Sequence, residues 1–155
     1  MLARTPITDR ELVIERLIDA PRDLVFRTWV DPRMALAWWG PPESPATHVQ
    51  IEFRVGGAWS GRLRTVDGRE LRQKGVFREI VPPERLVFTF VWEDANGRGQ
   101  ESLVSLYFAD DAGRTRLALN ERPFRSRALR DANVVEWSDA IDRFEALLAR
   151  MHRTV

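Results

Sequence analysis

The sequence predicts an α+β domain in which an antiparallel sheet of about seven strands curls around one long C-terminal helix. Three observations carry this. From residue 45 to residue 121 apolar residues recur with a period of two between turn signals; near the end they recur at spacings of three and four; and two short proline-started helical segments follow the first strand.

Residues 11–18 are rich in β-formers, with Leu12, Ile14 and Ile18 at even spacing, and make the first strand; residues 1–10 read as a flexible arm. Pro21 cannot donate to a ladder but suits a first helical position, and residues 22–30 carry Leu24, Val25 and Trp29 at helical spacing. Asp31-Pro32 repeats the device. Asp31 caps, Pro32 takes the first position, Leu36 and Trp39 fall three apart, and Gly40-Pro41-Pro42 ends the segment.

The period then changes. Val49, Ile51, Phe53 and Val55 share one face of a strand, Gly56-Gly57 turns the chain, and Trp59, Gly61 and Leu63 continue that face as far as Asp67-Gly68. Strands over 71–81 and 85–93 are joined by Pro82-Pro83-Glu84, the second alternating Leu86, Phe88, Phe90 and Trp92 against Val87, Thr89 and Val91. Asn96-Gly97 is the next turn, and strands over 102–109 and 115–121 are linked through Asp110 to Gly113. Connections this short make a hairpin meander and leave the first strand to pair at an edge. Over residues 131–152 Val134, Trp137, Ile141, Phe144, Leu148 and Met151 form one apolar helical stripe whose seat is the sheet.

Composition bounds the function. At 155 residues, with a net charge of +1 and no cysteine, the chain reads as one domain over residues 11–155 without disulfides or thiolate metal sites. Arginine supplies all of its 24 basic residues except Lys74, as in a GC-rich bacterial coding sequence. These arginines alternate with acids, as in Arg10-Glu11, Glu15-Arg16 and Glu121-Arg122, which reads as solvated ion pairs and not as a nucleic-acid surface. Neither a membrane span nor a secretory signal is evident, so a cytoplasmic location is expected, as a monomer or a homodimer.

Catalytic residues are few. His48 lies on the polar face of its strand and His152 at the end of the last helix, so neither a metal site nor a Ser/His/Asp constellation is expected. Asp94, Asp110 and Asp111 are turn residues, and Gly56-Gly57 lacks the lysine and following helix of a phosphate loop. No cofactor is indicated.

Aromatic residues carry more. Six tryptophans in one small domain suggest an aromatic-walled cavity, with Trp38, Trp39, Phe53, Trp59 and Trp137 as walls and Phe90, Trp92 and Ile141 on the same inward faces. Core filling is the competing explanation for each ring, strongest for Trp29 and Trp137. Trp38 and Trp39 differ, because neighbours on a helix lie ~100° apart and cannot both enter the core; one of them faces the cavity mouth or a partner. Tyr107, Asn120, Glu136 and Ser105, each set among apolar residues, are the polar candidates for orienting a ligand.

The order of elements and several blocks resemble the SRPBCC superfamily, specifically the branch named for the activator of the heat-shock-protein-90 ATPase. The blocks are Ile18-Asp19-Ala20-Pro21, Trp38-Trp39-Gly40-Pro41, Phe53-Arg54-Val55-Gly56-Gly57, Gly75-Val76-Phe77 and Pro82-Pro83-Glu84-Arg85-Leu86, joined by Val25-Phe26, Asp31-Pro32 and Thr115-Arg116-Leu117. They span nearly the whole chain. The resemblance implies a helix-grip fold with an apolar cavity between sheet and helix. It departs from common members at Leu119-Asn120-Glu121, where many read Thr-His, and at Glu136-Trp137, where many read Gly-Trp, so no role of that histidine carries over. The expected function is binding of an apolar or aromatic small molecule. The alternatives are a polyketide cyclase or aromatase-like enzyme, which needs an inward ionisable pair, and a chaperone ATPase co-regulator.

Overall fold

The computed structural model describes residues 9–93 and 99–153. Most of the expected N-terminal arm, Asp94, the Asn96-Gly97 turn and the His152 side chain lie outside what is described.

Strand β1 (Leu12–Ile18) is followed by helices α1 (Arg22–Trp29) and α2 (Pro32–Ala35). Strands β2 (Ala46–Ile51), β3 (Ala58–Arg64), β4 (Glu70–Val81), β5 (Arg85–Glu93), β6 (Glu101–Asp111) and β7 (Arg114–Arg122) come next, and helix α3 (Arg127–Arg153) closes the chain. All seven strands form one antiparallel sheet in the order β1-β7-β6-β5-β4-β3-β2. The meander therefore runs from β2 to β7, and β1 returns to the edge beside β7, with Ile14 opposite Leu119.

Alternation decides which residues enter the core. On β6 Val104, Leu106 and Phe108 point inward, and on β7 Leu117 and Leu119 do the same, against Ile141, Phe144 and Leu148 of α3. Arg16 on the edge strand ties the helix down, its Nη1 donating to Asp142 at 2.7 Å and to Glu145 at 2.9 Å. Thr115, fully buried, donates to the Ala20 carbonyl at 2.8 Å and holds the turn before α1 against β7.

Four local expectations are corrected. Strand β2 stops at Ile51, so Phe53, 40% exposed, and Val55 stand in the turn region and not on a continued apolar face. There the Arg54 N–H donates to the Glu52 carbonyl at 2.8 Å and the Gly57 N–H to the Arg54 carbonyl, local turns that replace the ladder. Helix α2 spans a single turn: Asp31 caps it by accepting from the Arg33 N–H at 2.9 Å, but Leu36 is exposed and the chain continues through looser turns to Trp39. Pro21 is the cap of α1 and not its first helical residue. Helix α3 begins one turn before the apolar stripe, because the Ser126 hydroxyl accepts the Leu129 N–H at 3.1 Å and supplies the cap.

Candidate functional site

The space between sheet and helix is filled by a chain of rings. Trp29 stacks on Trp137 with centroids 6.2 Å apart, Trp38 packs on Trp29 at 4.5 Å and on Phe144 at 4.8 Å, and Phe26 meets Phe108 edge-on at 5.3 Å. Trp39 sits half-buried where the chain branches, 5.6 Å from both Trp59 and Trp137. Its indole N–H donates to the Gln73 side-chain oxygen at 2.7 Å. On either side of Trp39 lies a slot of about 30 Å³, one reaching Trp137 and the other Trp59. Neither slot accommodates an organic ligand.

Two glycines shape this region. Gly40, at φ +97°, turns the chain after Trp39 in a conformation that favours glycine, and its carbonyl accepts from Arg143 of α3, fixing the lip to the helix. A side chain at Gly75 would collide with the Thr89 carbonyl and the Trp59 indole; its absence lets the Trp59 N–H reach that carbonyl at 3.0 Å.

A larger cavity, about 330 Å³, opens where β5, β6 and β7 meet the first half of α3. Phe90 and Trp92 from β5, Phe124 after β7 and Leu129 on α3 supply its apolar surface. Polar groups converge on it from Ser102, Glu121, Asn133 and Glu136. Arg125 borders it at the exposed rim.

Glu121 is the unusual member. It is 2% exposed, and its two oxygens accept from the Trp137 indole N–H at 2.8 Å and from the Ser102 hydroxyl at 2.6 Å. Burial pushes its carboxyl above the usual carboxylate range, although both hydrogen bonds pull the other way. Glu136, one turn of helix away from Ala140 and facing the same cavity, is raised by burial first and then by the negative charges of Glu43 and Glu121. The site therefore holds two carboxyl groups whose surroundings resist ionisation.

Of the expected site residues, Phe90, Trp92 and Glu136 line the large cavity, while Trp137 lines the slot beside Trp39 and donates to Glu121. Trp39 and Trp59 border only the slots, while Trp38, 1% exposed, and Ile141 are core. Of the adjacent tryptophans, one is core and the other faces the lip. Phe53 lies outside all three spaces, packed edge-on against Phe77 at 5.6 Å.

The remaining polar candidates are corrected. Tyr107, 46% exposed, and Ser105 occupy the outward positions of β6, because Val104, Leu106 and Phe108 take the inward ones. Asn120 likewise faces out from β7, donating to Glu11 at 2.6 Å and to the Leu12 carbonyl at 3.2 Å, a staple for the edge strand. Glu121 is not half of a solvated pair with Arg122: neighbours on a strand point to opposite faces, so Arg122 is exposed and Glu121 is in. Both Glu121 and the buried Gln73 were within reach of the sequence, since each is in phase with inward residues, Leu117 and Leu119 for one, Gly75 and Phe77 for the other. Their polarity hid them. Among the described residues no group of three or more metal-ligating side chains is gathered, and no helix is long and apolar enough to cross a membrane.

Comparison with known proteins agrees with this architecture. The structure resembles a protein from Arthrobacter aurescens with 26% identity and a TM-score of 0.81 over 92% of this chain and 87% of that one. It also resembles the AHSA1 protein from Silicibacter pomeroyi, with 27% identity and a TM-score of 0.78 over 92% and 99% of the two chains. A protein from Rhizobium leguminosarum gives 26% identity and a TM-score of 0.80 over 90% and 94%. A search of curated protein sequences gave no match. The model of the family described as Activator of Hsp90 ATPase homolog 1-like protein matches residues 19–149, and the chain belongs to that family, in the SRPBCC superfamily.

Proposed function

We propose that the chain binds an apolar or ring-bearing small molecule in the cavity between β5–β7 and the first half of α3. The observation that carries this is a half-open cavity of about 330 Å³ with Phe90, Trp92 and Phe124 as apolar wall and a few convergent polar atoms. That is the size and make-up of a small-ligand site. Family membership supports a ligand-binding fold in general terms. Titrating tryptophan fluorescence with a panel of aromatic and lipid ligands gives saturable changes that Trp92→Ala weakens. No response across the panel overturns the reading.

A specific observation favours a second reading, an enzyme of proton transfer. The ionisable pair that such an enzyme needs faces the cavity as Glu121 and Glu136. A buried carboxyl whose proton affinity is raised by burial is suited to donate a proton to a carbonyl or enolate oxygen, with Ser102 beside it. This predicts exchange of α-protons for deuterium in a 1,3-dicarbonyl test compound, seen by NMR and lost in Glu121→Gln; exchange at the buffer rate ends it. The chaperone reading rests on the family description, and an unchanged ATP turnover on mixing with the chaperone removes it.

A further inference from the structure

We infer that the cavity selects a cationic ligand, an organic ammonium carried on an apolar or aromatic body, with the charged nitrogen set between Glu121 and Glu136 and the body against Phe90 and Trp92. This rests on the small-molecule reading above and specifies its chemistry.

Glu121 and Glu136 both line the cavity, and Glu43 stands near enough to Glu136 to repel its charge. Glu136 has no hydrogen bond or ion pair among the described residues, while Glu121 is bonded to neutral donors alone, an indole and a hydroxyl. Each Glu121 oxygen has accepted one bond and keeps a second lone pair. Of the nearby arginines, Arg143 is turned to the Gly40 carbonyl, and Arg125, which lines the cavity, does so at its water-exposed rim, where its charge is screened. Two carboxyl groups, one buried and one half-exposed, thus face one half-open cavity, and neither has an ion pair among the described residues.

Ligand charge then decides. An anion meets repulsion, and a neutral body leaves both carboxyl groups desolvated with nothing gained. An ammonium ion satisfies both, and the faces of Phe90 and Trp92 add cation–π attraction to apolar contact. The raised proton affinities of the two groups fit this arrangement: burial of both, and at Glu136 also the charges of Glu43 and Glu121, are what an entering positive charge relieves. An amine entering neutral can take the proton of a neutral carboxyl and end as the same ion pair. A quaternary ammonium needs the carboxyl already ionised.

The test uses three probes of similar size and different charge: 2-phenylethylammonium, its carbon isostere propylbenzene, and phenylacetate, each titrated against the intact chain by tryptophan fluorescence at neutral pH. 2-Phenylethylammonium binds about tenfold tighter than propylbenzene, and phenylacetate is weakest. In Glu136→Gln, a half-exposed helix position that folds without difficulty, that preference falls about fivefold, and Glu121→Gln, checked for folding by circular dichroism, reduces it further. Tighter binding of the neutral or the anionic probe overturns the inference and leaves the small-molecule reading standing. A cation preference that survives in both variants overturns it as well. Binding of none of the three overturns both.

Discussion

The two ends of the ring cluster are built from the same side chains and do different things. At the end closed by α1 and α2, Trp29, Trp38, Phe108 and Phe144 are buried against one another, and the Trp38 indole N–H finds no acceptor among the described residues. At the end where α3 begins, Phe90, Trp92 and Trp137 stand beside Ser102, Glu121 and Glu136, and space remains. The first end is packing. The second pairs its rings with buried polar atoms, which cost stability unless they are satisfied or used. Tryptophan number therefore does not tell the two ends apart; the polar atoms among the rings do.

Substitutions at each end test this contrast. The largest effect is expected at the packed end: Phe144→Ala leaves a void between Trp29 and Trp38 and lowers unfolding free energy by about 3–5 kcal/mol, measured by urea denaturation. A loss below about 1 kcal/mol would mean that this end is as loosely filled as the other.

Next comes the bond that joins rings to carboxyl. Trp137→Phe keeps the ring and removes the N–H on Glu121, at about 1–3 kcal/mol near neutral pH, and less in acid, where the carboxyl is neutral. Equal losses at both pH values would show that ring packing alone matters there.

A smaller, pH-shaped effect follows from the raised carboxyl of Glu121. A carboxyl whose folded proton affinity exceeds its unfolded one contributes stability that is fully present below the unfolded value, about pH 4.3, and is lost as pH rises through the folded value. Glu121→Gln removes that loss, so its Tm rises relative to the parent chain as pH climbs above the unfolded value, with the residual slope left by Glu136. Parallel Tm curves would contradict the burial argument. The smallest effect is at the outward face: Tyr107→Ser changes stability by under about 0.5 kcal/mol and leaves ligand titrations unmoved. A weakened titration there would move the site to the other side of the sheet.

The strands and the long helix were legible because their signals are local and periodic. Leu86, Phe88 and Phe90 announce an inward face of β5, and the stripe from Val134 to Met151 announces α3. Ends were less legible. Ser126 outranked the stripe as the start of α3, and turns around Arg54 and Gly57 ended β2 while its apolar alternation ran on to Val55.

What the sequence determined by itself is the order of elements, the antiparallel meander, the aromatic interior and the family to which these belong, all of which depend on residue spacing along one chain. Only the tertiary structure decided where the rings leave room. Glu121 and Ser102 are 19 positions apart, and Trp137 lies another 16 beyond Glu121; they meet because β6 pairs with β7 and α3 folds back over both. The reason is physical: alternation tells which face a side chain takes, whereas a cavity is a failure of opposing faces to fill the space between them, and that depends on every element at once.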